Sequence, residues 1–273
     1  MDRTARAGTH ARVATDDFTR AFTLLDVIDD AVAERVEPTE HGVLVLDTRL
    51  FHVHDRNFLR VQDPGDASAV ELADEAEAAQ GRHAQLRHRR VNLRSDAQSA
   101  RLEPGFSALG WKPEWFVLMV RRNEPDRPGE ARVLEVDAPA LRPVWADGIR
   151  DQPHGRDDVV VEQILEHHGG IGEAVPTRYF GVEADGRLVA HCELYSEGGT
   201  GQVENVATLR RYRGRGFARA LVLHAADVSR AVGNELTFLV ADAEDWPRTL
   251  YEKLGFEPIG RYARFLKRLP VSP

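Results

Sequence analysis

One cysteine, Cys192, stands in 273 residues. That excludes an intramolecular disulfide framework and fits a reducing compartment, so the expected location is cytoplasmic. No apolar run approaches the ~20 residues that cross a bilayer, and no membrane partner is expected. Lysine is nearly missing: Lys112, Lys253 and Lys267 are the only three, and the remaining basic residues are arginines. The net charge of −8 argues against nonspecific binding to nucleic acid or an anionic lipid surface. The basic start MDRTARAGTHAR has no apolar core after it, so it reads as a frayed terminus and not as a secretory signal. What is present is ordinary for a globular chain, with 42% hydrophobic and 29% charged residues. The length suits two domains of common size.

The clearest break is NEPDRPGE, residues 123–130, polar and rich in proline and glycine. It places one domain at 1–125 and a second at 131–273. The second half alternates regularly. Helices are expected at 140–150 and from Asp157 to a Gly169-Gly170 stop, followed by two strands around Asp185-Gly186, a strong hairpin signal. QVENVATL is the next strand, then a helix over 216–232 ended by Gly233, the strand LTFLVA, a helix over 246–254, and a hairpin-like FEPIGRYARFLKR. The first half gives a helix near 18–35, extended runs GVLVLDT and FHVHDRNFLRV, a helix over 67–79, a strand HRRVNL, a helix over 95–109 and the run WFVLMV. The halves echo each other. FSALGWKPE and YEKLGFEPI align at an offset of 145 and share Leu-Gly-aromatic-x-Pro, as two copies of one fold would.

The stretch RYRGRGFARALV, residues 211–222, sits where a strand gives way to a helix. The first N–H groups of a helix lack partners and carry the positive end of its dipole. Glycines let an anion approach that backbone, so the segment can cradle a phosphate or pyrophosphate.

With that loop in place, residues 131–269 resemble the GNAT superfamily of acetyl-CoA-dependent N-acetyltransferases. The family's loop, Gln/Arg-x-x-Gly-x-Gly/Ala, is matched by Arg211-Tyr212-Arg213-Gly214-Arg215-Gly216. Its later signature, Leu-Tyr-x-x-x-Gly-Phe, is matched by Leu250-Tyr251-Glu252-Lys253-Leu254-Gly255-Phe256. The resemblance implies an α/β fold in which each half is a mixed, mainly antiparallel sheet flanked by helices. It implies acetyl-CoA as co-substrate, bound by Arg211, Arg213, Gly214, Arg215, Gly216, Phe217 and Ala218 at the pyrophosphate. Val206, Ala207 and Thr208 would meet the pantetheine arm. The family often has Asn-x-x-Ala before Leu-Tyr, where this chain has Glu244 and Pro247; Asp245 is expected to take over part of the asparagine's role.

Transfer to an amine needs an acid for the leaving thiolate and a base for the amine. The family's position for the acid falls on Tyr251. For the base, Glu204 is preferred over Glu193, His191 and Asp242. Direct attack in a ternary complex is expected, since Cys192 has no partner base. The acceptor is a small-molecule or peptide amine, and the protein a monomer or homodimer. A non-catalytic acyl-CoA-binding or regulatory module is the competing expectation.

The first half lacks this machinery. QDPGDASAVE precedes its helix in place of the glycine loop, Asp63, Asp66 and Glu71 would repel a pyrophosphate, and the offset maps Tyr251 onto Phe106. It is expected to be a degenerate copy without cofactor that walls the acceptor site. His52 and His54, two apart with Asp55 following, fall on one face of an expected strand, without the further ligands a metal needs. His167 and His168 are read as cations at a helix C-terminus, and Trp111, Trp115, Trp145 and Trp246 as core residues.

Overall fold

Gly110 and Gly255, 145 positions apart, both adopt left-handed φ, +79° and +86°, and each ends a helix in the same way. Leu109 N–H bonds to the carbonyls of Gly105 and Phe106, and Gly110 N–H to Ser107; Leu254 bonds to Leu250 and Tyr251, and Gly255 to Glu252. Each bond reproduces its counterpart at the offset the sequence suggested. The computed structural model describes residues 3–244 and 247–270, with side chains described for 16–244 and 248–270.

The first half runs α1 (Arg3–Val32), β1 (Arg35–Pro38), β2 (Gly42–Leu46), β3 (Phe58–Val61), α2 (Ala69–Gln80), β4 (His88–Asn92), α3 (Asp96–Ala108) and β5 (Lys112–Arg121). The second runs β6 (Leu134–Val136), α4 (Ala138–Arg150), α5 (Asp158–Ala174), β7 (Thr177–Ala184), β8 (Arg187–Glu197) and β9 (Thr200–Thr208). It continues with α6 (Phe217–Ala231), β10 (Leu236–Asp242), α7 (Pro247–Lys253) and β11 (Phe256–Arg268). From β1 and from β7 onward the same order appears: three strands, helix, strand, helix, strand. In each copy the third and fourth strands are parallel and joined by a helical crossover, β3 to β4 through α2 and β9 to β10 through α6.

The mixed α/β architecture is as expected, but the two sheets are one. Among the described residues eleven strands form a single sheet in the order β1-β2-β3-β4-β11-β5-β10-β9-β8-β7-β6. The last strand of each half is inserted into the other half. β11 pairs with β4, β5 pairs with β10, and β5 and β11 pair antiparallel with each other from Phe256↔Arg121 to Leu266↔Lys112. FEPIGRYARFLKR is therefore one long strand with an irregularity between Pro258 and Gly260, and not a hairpin. Phe265 is fully buried in the first half's core and stacks on Phe106 at 4.3 Å.

Strand alternation sorts the core into two layers. Val117 and Met119 pack with α6 residues such as Leu221 and Ala225 on one face of the sheet, whereas Leu118 and Val120 pack with Ala21 and Leu24 of α1 on the other. The second face also carries α4 and α5 over Tyr179 and Val189.

Several local expectations change. α1 begins at Arg3, replacing the expected frayed start, and stops at Val32, leaving room for β1. FHVHDR is not extended: His54–Arg56 forms a 3-10 turn, so His52 and His54 share no strand face. His54 instead lies tilted against His88, with ring centroids 4.2 Å apart. α5 continues through Gly169 and Gly170 to Ala174. Gly170 and Gly172 serve close approach: a Cβ on Gly170 would lie 3.3 Å from Arg56 Nη2, and one on Gly172 would overlap the Tyr179 hydroxyl, whereas one on Gly169 would meet open space. The 123–130 segment is docked and not free. Buried Arg219 of α6 donates to Asp126 Oδ1 at 2.5 Å and to the Arg127 carbonyl. The Asp-Gly hairpin forms as expected, with both residues at positive φ.

Candidate active site

The site begins with strands that separate. β9 and β10 pair only at Thr200–Gln202 against Leu236–Phe238; beyond, residues 203–208 and 239–242 have no mutual register. The divergence coincides with a bulge. Asn205 has φ +50°, a left-handed conformation that asparagine tolerates better than most residues, and the β8–β9 register shifts between His191 and Glu193. Val206, Ala207 and Thr208 edge the opening.

Past Thr208 the chain turns once through Arg210–Tyr212 and enters the glycine loop. Gly214 and Gly216 stand at φ +77° and +78°, and Gly216 caps α6 with no side-chain hydrogen bond. The N–H groups of Phe217, Ala218 and Arg219 thus open α6 as a free positive end. The loop is braced by Tyr212, which is buried, donates to Asp185 Oδ2 at 2.8 Å and lies under the guanidinium groups of Arg211 and Arg215, 4.7 and 5.2 Å from its ring centre. Arg213 Nε holds the Thr208 carbonyl. Tyr251 is buried on the α6 side of the sheet, its ring centre 6.4 Å from that of Phe256. Asp245 and Trp246 lie outside the described residues.

The equivalent helix of the first half is closed. Ser68 and Glu71 form a capping box on α2: Ser68 Oγ accepts from Glu71 N–H, and the Glu71 carboxylate accepts from Ser68 N–H and Oγ–H. A carboxylate of the chain itself occupies the place an external anion would take.

On the α1–α5 face the divergence is flanked by a buried polar group. Glu193 is fully buried; its carboxylate accepts from the Tyr195 hydroxyl and, at 2.6 Å, from Asn205 Nδ2. Burial pushes its pKa up to about 7, opposed by those two bonds and reinforced by Glu204. Glu204 is its direct cross-strand neighbour. It takes a 2.5 Å bond from Gln202 and is also raised, first by burial. Arg264 lowers it and Asp55 raises it, so residues from the exchanged strand and from the first half reach the same space. Asp55 pairs with Arg90 and Arg264 and leaves 54% of its side chain exposed. Tyr251 and Glu204 are therefore on opposite faces, with the opening between β9 and β10 joining them.

His167 and His168 are not helix-terminal cations. Burial pushes them down to about 3 and 4, and neutral His167 accepts from Arg56 Nε at 2.7 Å. Burial likewise pushes His191 down to about 3, while the backbone of Asn205 bonds its ring. A cleft of ≈ 200 Å³ lies between α4, α5 and the end of β9, where Trp145, His168, His191, Asn205 and Thr208 meet. Trp145 belongs to the core at one edge but lines this cleft with the other. Cys192 is fully buried and burial raises its thiol, which leaves it a poor nucleophile. The missed residues are Asn205 and Trp145; a polar residue breaking the alternation of QVENVATL is the only sequence sign of the first.

Comparison with known proteins adds the following. Residues 144–256 match the model of the Acetyltransferase (GNAT) family. A glucosamine 6-phosphate N-acetyltransferase of Trypanosoma brucei brucei is 31% identical over 97 residues, 33% of this chain and 65% of that protein; the match thus spans just under two thirds of the relative. A functionally unknown conserved protein from Staphylococcus epidermidis superposes with a TM-score of 0.69 at 13% identity, over 87% of this chain and 95% of its own. A GCN5-related N-acetyltransferase from Kribbella flavida superposes with a TM-score of 0.58 at 18% identity, over 96% of both chains. At such identities the structural matches speak to fold, and they extend it across both halves.

Proposed function

We propose that this chain, whose residues 144–256 are those of a GNAT-family acetyltransferase domain, moves an acetyl group from acetyl-CoA to a small-molecule amine. The observation that carries the reading is the uncapped, glycine-preceded α6 N-terminus beside the opening between β9 and β10. The residues present fit the co-substrate. Phe217 and Ala218 N–H groups with Gly214 and Gly216 suit a pyrophosphate, and Arg211, Arg213 and Arg215 supply charge. Val206, Ala207 and Thr208 offer unpaired strand edge to an amide-bearing arm, and Thr208 Oγ1 is buried without a partner. Acetyl-CoA, when bound, supplies a thioester-activated acyl carbon.

The chain's own residues then manage two protons. Glu204 takes the proton that the attacking amine loses, its affinity for protons raised first by burial and also by Asp55. Tyr251 gives its hydroxyl proton to the departing sulfur, so the acyl–sulfur bond breaks as the acyl–nitrogen bond forms. The first half acts as a copy without cofactor, its α2 closed by Glu71, and contributes Asp55 to the acceptor side. The trypanosomal relative's name gives an amino-sugar phosphate as its acceptor, which makes amino sugars the first acceptors to assay.

The test is thiol release from acetyl-CoA across an amine panel, with Tyr251→Phe alongside. Amine-dependent release is expected, falling roughly 10²-fold in the variant with acetyl-CoA binding kept. Binding without release for any amine would leave a regulatory acyl-CoA-binding module in its place.

A further inference from the structure

Arg56 is only 3% exposed, yet its guanidinium donates to neutral acceptors. Nε reaches His167 Nδ1 at 2.7 Å, Nη2 reaches the His167 carbonyl at 3.4 Å, and Nη1 reaches the Val32 carbonyl that ends α1. Among the described residues no carboxylate pairs with it directly; Asp47 and Asp29 attract it from farther off. A buried ion without a partner ion is a poor source of stability. What a guanidinium supplies is direction, because its donors stand in one rigid plane.

That plane ties the two halves together at one helix. Arg56 belongs to the first half, on the turn His54–Arg56, and His167 belongs to α5 of the second. Gly170 leaves room for Nη2. A second tie runs from His52 N–H to Gln163 Oε1 at 2.8 Å. The first half thus holds α5 at Gln163 and again at His167.

The next residue of α5 touches the strand that bears Glu204. His168 Nδ1 lies 3.3 Å from Asn205 Nδ2, and the same amide nitrogen donates to Glu193 Oε1 at 2.6 Å. An amide nitrogen only donates, so His168 must present a bare lone pair there. Burial first, and then the charge of Arg56, hold His168 down to about 4 and keep that lone pair free. Asn205 in turn bonds the Glu204 carboxylate and the His191 ring through its backbone. It does so from a φ of +50°, a conformation that persists only where the surroundings hold it.

We propose that Arg56 is a positioning residue for acetyl transfer: it fixes α5 against the first half, so that His168 and Asn205 hold Glu204 in place at the opening between β9 and β10. The proposal rests on the acetyltransferase reading and gives the half without cofactor a part in the proton transfer.

The experiment is a double-mutant cycle in the full chain. Arg56→Met keeps the length of the side chain and removes its charge and donors. Asn205→Gly removes the amide and still permits the left-handed backbone. Both variants and their combination are assayed by thiol release with glucosamine, or with the fastest amine of the panel if glucosamine is not turned over. Acetyl-CoA binding is followed by calorimetric titration. Arg56→Met should lower kcat roughly 10-fold, with acetyl-CoA affinity unchanged. In the Asn205→Gly background the same substitution should change kcat by less than about twofold, since residues on one path do not act additively. Arg56→Lys keeps the charge without the planar fork; it should lose several-fold in kcat and takes the place of Arg56→Met in the cycle if that variant does not fold. Equal losses in both backgrounds would make Arg56 a structural residue and overturn the proposal, as would an unchanged kcat or an effect confined to acetyl-CoA affinity. Each of these leaves the acetyltransferase reading intact. A wild-type protein that releases no thiol with any amine defeats that reading, and the proposal falls with it.

Discussion

Replacing Glu193 by glutamine should make the stability of this protein less sensitive to rising pH, by an amount the site itself fixes. The Glu193 carboxyl is fully buried and its pKa stands at about 7 against an ordinary 4.5. Burial is the main cause; the Tyr195 and Asn205 hydrogen bonds oppose it, and Glu204 across the strand adds to it. A raised carboxyl favours the folded state while protonated, so its contribution is full below pH 4.5 and is lost as the pH climbs through 7. A shift of this size corresponds to about 3 kcal/mol, of which about 2.5 kcal/mol falls between about pH 5 and about pH 8. Glutamine carries no proton to lose and can still accept from Asn205. In urea unfolding followed by tryptophan fluorescence, the variant should therefore gain about 2.5 kcal/mol on the wild type between those two pH values. An equal effect of the substitution at both values, or a variant that loses ground at the higher one, would refute the assignment of a protonated, buried Glu193.

The remaining predictions concern the cofactor loop and the exchanged strands. Gly214→Glu should abolish the rise in melting temperature that acetyl-CoA produces, because a carboxylate would face the pyrophosphate. A Cβ there meets open space but φ is +77°, so Gly214→Ala, which brings the same backbone strain without the charge, is the control; retained stabilisation in Gly214→Glu would move the cofactor elsewhere. Phe265→Ala should cost roughly 3–5 kcal/mol and lower one cooperative transition seen by probes in both halves. Two separate transitions, with only one shifted, would show that the halves fold apart despite sharing a sheet.

Much of this arrangement was legible because it rests on local chemistry. The Asp185-Gly186 hairpin, the C-terminal glycines 110 and 255 and the glycine loop before α6 each need a backbone conformation that few residues adopt, so the sequence names them directly. The helix expected over 67–79, with a stop at Gly81, forms at Ala69–Gln80, opened by the Ser68–Glu71 capping box and closed at Gly81. The exchange of β5 and β11 leaves no such mark. A strand with Val117 and Met119 on one face and Leu118 and Val120 on the other is satisfied by either neighbour, and periodicity carries no information about which one it meets. The Gly169-Gly170 pair reads as a helix stop for the same kind of reason: Gly170 leaves room for Arg56, a contact made only in the folded protein. Histidines 167 and 168 were read from their place on a helix, whereas their protonation is set by what covers them. Glu193 was recognised as one candidate among several; that it is buried behind Asn205, and that Asn205 breaks the strand, depends on tertiary register.

The exchanged strands also decide how this molecule can admit its substrates. Two lobes connected by a flexible hinge can swing apart to load a ligand and shut around it. Here such a swing would have to tear the ladder from Phe256↔Arg121 to Leu266↔Lys112, and with it the packing of Phe265 against Phe106. The jaws are cut from one plate. Entry and exit must therefore proceed through movements smaller than a lobe, at the 3-10 turn carrying His54 and Asp55 or the segment joining α4 to α5, and turnover should tolerate a covalent cross-link placed between the two halves.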